Sequence, residues 1–388
     1  MTLALPLLFT IFLFSTSLAI DHNIVRLGAN PNGKTDSSGA FMKAWKVACS
    51  SAAKSTITVP VGRFLVSRPV LFPGHYCKSK GIMFRVMGSV IGPSDYWDIG
   101  KAGSWFWFES VTGVTISGGT FDARGNGLWD CKNKGHGGCP GGATTLSFTS
   151  SKNIVISRWT SINSQLGHIV LNGCRGVKIQ DVRLTAAGNS PNTDGIHVQL
   201  STGITILNSH IATGDDCVSI GAGTTNLWIE KVACGPGHGI SIGSLGNDLK
   251  EPGVQNVTVT STTFTGTENG VRIKTWGRPS NGFVRSVRFE HITVTNVQNP
   301  IVIDQNYCPG NKGCPGKVSG VRITDVTYQD IHGTSATEVA MRFDCSSKNP
   351  CSRISLQDVK LTYKNKPSLA SCAHAGVSRH GYVEPARC

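Results

Sequence analysis

Short runs of alternating aliphatic and polar residues recur along most of the chain. Each run has two apolar residues separated by one residue, which is polar in most runs. The runs occupy residues 113–116, 153–156, 176–179, 203–206, 226–229, 256–259, 286–289, 320–323 and 353–356. From residue 153 onwards, neighbouring runs begin 23 to 34 residues apart. Alternation with a period of two is typical of a β-strand with one buried face. The chain therefore repeats a strand at nearly regular intervals.

A second set of strands lies between these runs. It is marked by two aliphatic residues separated by one residue, as in the pairs Ile196/Val198, Val218/Ile220, Ile240/Ile242, Val271/Ile273 and Ile301/Ile303. One strand of each kind per repeat, with Gly or Asn at the corners, predicts an all-β, single-domain, right-handed parallel β-helix. A leucine-rich repeat would need a register that is absent, and a propeller would need blades of about 40 residues. The predicted domain extends from about residue 22 to residue 388.

Both ends of such a coil must be covered, because an open end exposes strand edges and core. Thr35-Asp36-Ser37 precedes apolar residues at helical spacing, namely Phe41, Ala44, Trp45 and Ala48. This pattern predicts a capped amphipathic helix over the first coil. A loop closed by Cys372 and Cys388 is predicted to cover the last coil.

Composition narrows the functional classes. Only 15% of the residues are charged and 46 are glycine, which excludes a mostly helical protein. The formal net charge is +14, and a charge of this sign attracts polyanions. The sequence contains no nucleic-acid recognition motif, so nucleic acid is not the expected partner. The expected partner is an acidic polysaccharide.

The N-terminus predicts secretion. The segment from Leu3 to Ala19 is apolar and uncharged, and it ends in small residues at Ser17 and Ala19. Residues 1–19 are therefore interpreted as a cleaved signal peptide, although the usual basic residue at the start is missing. No later segment is apolar over about 18 residues, so the mature protein is expected to be extracellular, in or near the cell wall, and not bound to a membrane.

Thirteen cysteines in a secreted chain favour disulfides over metal binding. Pairing by proximity along the chain gives Cys49–Cys77, Cys131–Cys139, Cys217–Cys234, Cys308–Cys314, Cys345–Cys351 and Cys372–Cys388. Sequence alone does not fix the connectivity. This pairing leaves Cys174 as a buried thiol. Asn256-Val257-Thr258 is a sequon, so Asn256 is a candidate glycosylation site.

Polar residues of the second strand set occupy equivalent positions in successive coils. Asp194, Asp216 and His238 each stand two residues before the first inward aliphatic residue, at intervals of 22 residues. Successive coils should place them above one another, about 4.8 Å apart. Asp215 is adjacent, and Arg272 and Lys274 are expected on the same face two coils further on. Turn residues alone would not bring three carboxylates together, because these repel one another.

This set of side chains points to glycosidic hydrolysis. Two carboxyl groups about 6.5–9.5 Å apart leave room for a water molecule and invert the sugar configuration, whereas about 5–5.5 Å suits a covalent route. Crowding raises the pKa of one carboxyl group, which can then act as a general acid. Arg and Lys side chains bind the carboxylate of an acidic sugar.

Four segments carry a resemblance to plant polygalacturonases of glycoside hydrolase family 28. They are residues 190–197, 213–217, 234–241 and 270–274, which read SPNTDGIH, TGDDC, CGPGHGIS and GVRIK. The resemblance implies an inverting, metal-free and cofactor-free hydrolase that cleaves α-1,4-linked galacturonan (homogalacturonan, de-esterified pectin) and acts as a monomer.

The resemblance also implies a role for each residue. Asp215 would be the general acid, and His238 would keep it oriented and protonated. Asp194 and Asp216 would activate the water. The substrate would be bound by Arg272, Lys274, Tyr307 and Asn192, and the Cys217–Cys234 disulfide would brace the surrounding loops.

Two other functions stay open at this point. One is a non-catalytic β-helix protein that binds wall polysaccharide, and turnover of substrate separates it from an enzyme. The other is a pectate lyase, which would need an acidic Ca²⁺ site and would release products that absorb in the ultraviolet. Endo and exo cleavage are not distinguished by the sequence.

Overall fold

The chain winds into a parallel β-helix in the computed structural model, which describes residues 19–135, 137–386 and 388. The predicted fold class is thereby confirmed. The predicted signal peptide lies outside the described residues, apart from Ala19. Among the described helices, none is long and apolar enough to cross a bilayer.

One sheet of eleven parallel strands forms a continuous face, which we call the site sheet. Its strands are Val70–Pro73, Ser104–Glu109, Thr144–Thr149, Ile169–Asn172, Ile196–Gln199, Val218–Ile220, Ile240–Leu245, Asn269–Trp276, Asn299–Tyr307, Val339–Asp344 and Leu369–Ala373. The register joins Ile196 to Val218 and Val218 to Ile240. The second strand set of the sequence analysis is this sheet.

The remaining strands form a sheet of twenty-one strands. They are Ile20–Asn23, Asn32–Asp36, Ser55–Val59, Arg63–Leu65, Ile82–Val86, Ser89–Ile91, Val114–Ser117, Thr120–Asp122, Lys152–Ser157, Thr160–Ile162, Arg175–Gln180, Arg183–Thr185, Thr202–Ala212, Thr225–Cys234, Val254–Thr260, Thr263–Thr265, Phe283–Val297, Arg322–Ser335, Cys351–Tyr363, Lys366–Pro367 and Ala375–Glu384.

This larger sheet has two faces that meet at a sharp bend. The strand Thr202–Ala212 pairs through its first half with Arg175–Gln180 and through its second half with Arg183–Thr185. Asn208 lies between the halves with φ of 47°, a left-handed conformation that Asn tolerates better than most residues. Each full coil therefore has three strand segments rather than the two that the sequence predicts. The third was missed because it is three residues long in many coils and shows no alternation.

The predicted register is wrong for one repeat. The run at residues 320–323 was aligned with Val287, but the residue that pairs with Val287 is Val326, which in turn pairs with Ile354. The loop before this strand is long, and Val321 and Ile323 mimic the repeat pattern five residues early.

Aromatic rings fill the interior near the N-terminal end. Phe72, Phe108 and Phe148 stack on successive coils, with ring centroids 4.5 and 4.8 Å apart. Trp45 meets Phe72 edge to face at 5.3 Å. Such pairs stabilise by about 0.5–1.5 kcal/mol beyond the burial of their area.

Trp45 belongs to the predicted capping helix, which runs over Ser38–Ser50 and buries Phe41, Ala44, Trp45 and Ala48. Its first turn is capped by Asp36, whose Oδ1 accepts a hydrogen bond from the Ser38 backbone N–H. Three shorter helical turns, Ile24–Leu27, Trp97–Gly100 and Pro309–Asn311, and the helix Asn126–Asn133 lie in the connections.

Six disulfides form among the described residues, and they join the six pairs named above. Cys174 is free and buried, and burial raises the pKa of its thiol. Its Sγ lies 3.4 Å from the carbonyl oxygen of Phe148.

Candidate active site

Three consecutive strands of the site sheet position a group of polar side chains that we call the polar strip. It consists of Asp194, Asp215, Asp216, His238, Arg272 and Lys274. Because Ile196, Val218 and Ile240 are in register, Asp194, Asp216 and His238 occupy equivalent places two residues earlier. The backbone continues this alignment into the corners, where the Gly195 N–H donates to the carbonyl oxygen of Asp216 at 2.9 Å. The structure thus brings together the residues that the 22-residue interval aligned.

The Asp215-Asp216 corner depends on a tight backbone approach at Gly214. A Cβ atom at this position would lie 2.1 Å from the carbonyl oxygen of Ser190, so only glycine fits. The Gly214 N–H donates to Oγ1 of Thr193 at 3.0 Å. On the other side, the Cys217–Cys234 disulfide ties the corner to the next coil.

Asp216 is the most buried of the three carboxyl groups, with 1% of its side chain exposed. Its Oδ2 lies 2.8 Å from Nζ of Lys274, and its Oδ1 lies 3.0 Å from the Arg272 guanidinium. Ser241 donates a further hydrogen bond of 2.7 Å to Oδ1. The negative charge of this buried carboxylate is compensated by its two cationic partners, and the carboxylate in turn holds both cations in the strip.

Asp215 is held by a different set of contacts. Its Oδ1 accepts the Asp216 backbone N–H at 2.8 Å and lies 3.1 Å from Nδ1 of His238. Nε2 of His238 lies 3.4 Å from a carboxylate oxygen of Glu268. The hydrogen bond that His238 donates to Asp215 raises the pKa of His238 against the opposing effect of burial.

Among the residues that the structure describes, no cation forms an ion pair with Asp194. Ser219 donates a hydrogen bond of 2.6 Å to its Oδ2, and Nδ1 of His197 lies 2.8 Å from the Ser219 oxygen. Burial raises the pKa of Asp194 to about 7, and the nearby charges of Asp215 and Asp216 add to this effect. Burial also lowers the pKa of His197, which favours its neutral form.

These contacts correct one expectation from the sequence. Crowding does raise the pKa of one carboxyl group, but that group is Asp194, not Asp215. Burial would raise the pKa of Asp215 too, yet its hydrogen bond to the positively charged His238 outweighs burial and lowers it. In the ligand-free protein, the pKa is therefore raised at Asp194 and His238 and lowered at Asp215.

Tyr307, to which the resemblance assigns substrate binding, lies beside Lys274. Nζ of Lys274 is 5.3 Å from the centre of its ring, and Trp276 meets the ring edge to face at 5.2 Å. Asn192 is exposed in the turn before Asp194, with a left-handed φ of 56°. Tyr307 thus borders the strip at Lys274, and Asn192 lies two residues before Asp194 in the chain.

A metal ion does not suit this cluster. Asp215, Asp216 and His238 are the described residues whose ligand atoms come close enough, within 4.8 Å of one another. Both oxygens of Asp216 are already bound to Arg272 and Lys274, so a divalent cation would lie beside two positive charges.

Comparison with known proteins shows the family of this chain. The sequence pattern described as "Glycosyl hydrolases family 28" matches residues 49–380. The chain belongs to this family. Along nearly its whole length, this family 28 chain is 59% identical to a polygalacturonase of Prunus persica, over 99% of the chain and 98% of the relative. It is 40% identical to an exopolygalacturonase of Platanus acerifolia, over 91% of the chain and 94% of the relative.

Solved structures show the same fold at low sequence identity. An endo-xylogalacturonan hydrolase from Aspergillus tubingensis superposes with a TM-score of 0.79 at 21% identity, covering 94% of this chain and 99% of the other. The family 28 chain therefore shares the β-helix fold with a protein whose sequence identity to it is too low to show the common fold by itself.

Sequence reasoning missed four polar residues next to the strip. Ser219, Ser241 and His197 lie at matching outward positions of the site sheet, one residue after the inward aliphatics, and the register pairs them directly. The same column alignment that found the carboxylates would have found them. Glu268 was missed because it precedes the strand Asn269–Trp276 and reaches His238 from a corner.

Proposed function

We propose that this chain is a polygalacturonase that hydrolyses α-1,4-galacturonosyl linkages of de-esterified pectin with inversion. The observation that carries the proposal is the strip itself, in which three carboxyl groups, His238 and two cations share one face of the site sheet. The cations Arg272 and Lys274 suit the carboxylate of an acidic sugar. Relatives named as polygalacturonases over nearly the full chain support the same substrate.

In the proposed reaction, a water molecule attacks the anomeric carbon while the bond to the leaving glycosidic oxygen breaks. Asp215 gives a proton to that oxygen, and Asp194 and Asp216 hold the water and accept its proton. Because Asp215 is anionic in the free protein, its proton must come from a neighbour. His238 supplies it across the 3.1 Å contact between Nδ1 and Oδ1.

The two cations have donors to spare for substrate. Lys274 uses one of its three N–H groups on Asp216, and Arg272 uses Nε on Ser241 and one terminal nitrogen on Asp216. The remaining donors bind the galacturonate carboxylate, with Tyr307 and Asn192 bordering the sugar.

The proposed reaction has a definite pH dependence. The proton that the reaction uses comes from His238, whose pKa is raised by its hydrogen bond to Asp215. As pH rises through that raised pKa this proton is lost, so kcat/KM should fall about tenfold per pH unit above it. Asp194 must be anionic to accept the proton of the water, and burial raises its pKa to about 7, so kcat/KM should also fall as pH drops below about 7. Initial rates from pH 4 to pH 9 measure this. A plateau extending to pH 9 would contradict the assignment.

Turnover is the direct test of the substrate. The purified chain is incubated with polygalacturonate, and new reducing ends and product sizes are read together, with amylose as a neutral control polymer. The proposal expects reducing ends from polygalacturonate alone. Oligomers of mixed length identify an endo-enzyme, and galacturonic acid alone identifies an exo-enzyme. If no reducing ends form, the non-catalytic wall-binding function replaces the proposal; products that absorb in the ultraviolet would instead identify a lyase.

We also propose that the mature chain is secreted to the cell wall after removal of residues 1–19 and acts there as a monomer. Six disulfides suit an oxidising compartment. Asn256 of the sequon is exposed at a corner of the coil, where its Nδ2 donates to Oδ1 of Asn226. A glycan at Asn256 would project from the twenty-one-stranded sheet, away from the proposed active site.

A further inference from the structure

A cavity of about 790 Å³ lies outside the polar strip. It is formed where four successive coils leave the site sheet, through residues 246–253, 277–282, 308–321 and 345–350. A second cavity of about 510 Å³ shares Arg322, Lys348 and Asn349 with the first. We call the two together the corner groove. None of the proposed substrate-binding or acid–base residues lines it.

The corner groove is electropositive. Lys317, Arg322 and Lys348 line it, all three are exposed, and none forms an ion pair with a described residue. The acidic residue in its lining is Asp325, and both of its oxygens are bound by Arg353. Glu251 approaches the wall at Gly282, where its carboxylate accepts the Gly246 backbone N–H. Cations without partners in one concave surface favour a bound anion.

The other lining residues indicate what kind of anion fits. Ser280, Asn281 and Asn349 offer hydroxyl and amide groups, and Leu249, Pro279 and Val318 offer apolar surface. A sugar ring presents hydroxyl groups around its edge and apolar C–H groups on its faces, so a mixed wall of this kind suits an acidic sugar. The volume lies within the range of about 300–1,000 Å³ that is usual for ligand sites.

One loop joins the corner groove to the proposed active site. Residues 308–321 begin directly after Tyr307, which faces Lys274, and lead directly to Arg322 in the groove. The Cys308–Cys314 disulfide restrains the first half of this loop. A polymer that occupies the strip and the groove together would have to cross this loop.

We propose that the corner groove is a second binding site for a segment of anionic galacturonan, which anchors long chains while another segment is cleaved. The inference rests on the proposed function for the identity of the sugar. It assigns Lys317, Arg322 and Lys348 to the carboxylates of the polymer. An oligosaccharide that fills only the strip does not use this site.

The test compares two triple variants that lose the same charge. The groove variant carries Lys317→Gln, Arg322→Gln and Lys348→Gln, and the control carries Lys43→Gln, Lys46→Gln and Lys178→Gln, which are exposed and lie outside the groove. KM is measured on polygalacturonate and on trigalacturonate. The groove variant should raise KM for the polymer about 3- to 10-fold, as expected when three exposed charge contacts are lost. The KM of the groove variant for trigalacturonate should stay near the wild-type value. The control variant should keep near-wild-type KM values for both substrates.

Equal losses in the two triple variants would overturn the proposal, because they would show attraction by net charge alone. An equal rise in KM for trigalacturonate would also overturn it, since the groove would then belong to the active site. Binding to immobilised polygalacturonate is measured in parallel with Asp215→Asn added to each triple variant. If the wild type does not cleave polygalacturonate but only the groove variant loses binding, the groove stands and the proposed function fails.

Discussion

Asp215→Asn should lower kcat on polygalacturonate by at least about 10²–10⁴-fold, the usual contribution of a general acid. Asn has the same shape as Asp but cannot pass a proton from His238 to the leaving oxygen. The fold should be preserved, because Asp215 and His238 are both partly exposed, with 19% and 36% of their side chains accessible. We expect a partly exposed pair of this kind to contribute about 1 kcal/mol. Initial rates at saturating substrate, with circular dichroism as a check on folding, measure the effect.

The assignment of Asp215 as the acid can be separated from a general loss of activity. A galacturonide with a dinitrophenolate leaving group needs no proton from the enzyme. Asp215→Asn should lose much less activity on it than on polygalacturonate, whereas Asp194→Asn should lose activity on both. If Asp194→Asn shows the selective loss instead, then Asp194, the residue with the raised pKa, is the acid and the roles are exchanged.

Asp216→Asn should destabilise the protein as well as inactivate it. Its carboxylate faces Arg272 and Lys274, whose side chains are only 10% and 9% exposed. Removing one partner of a buried ion pair leaves uncompensated charge and costs about 3–5 kcal/mol. Urea unfolding, followed by tryptophan fluorescence with the disulfides intact, gives the change in free energy of unfolding.

The adjacent residue provides a matched control for this prediction. Asp215→Asn removes the same charge one position earlier but should change the free energy of unfolding by about 1 kcal/mol or less. Equal stability of the two variants would show that the ion pairs of Asp216 contribute little to the fold. The contrast is informative because both substitutions preserve side-chain size.

Much of the architecture could be predicted from the sequence, because a parallel β-helix repeats its pattern with every coil. The register of Ile196, Val218 and Ile240 followed from alternation alone, and Asp194, Asp216 and His238 followed from that register. The third strand of each coil was not predictable in the same way, since three residues are too few to show a period. Val321 was aligned in place of Val326 because a long loop displaced the true repeat.

The sequence predicted which residues form the site, but not which of their side chains carry protons. Residue types and spacing brought the carboxylates, His238 and the cations together. The distribution of protons depends on which partner each carboxyl group meets, and that is a matter of side-chain geometry. The hydrogen bond to His238 lowers the pKa of Asp215, whereas Asp194 is buried beside Asp215 and Asp216, so the raised pKa falls on Asp194.

The configuration of the first product tests the central claim most directly. Polygalacturonate is treated with the purified chain, and the new reducing ends are followed by proton NMR before the anomers equilibrate in water. Water held by Asp194 and Asp216 attacks opposite the leaving group, so the α-linkage should release the β-anomer first. Initial release of the α-anomer would contradict direct displacement by water, and with it the roles assigned to the stacked carboxylates.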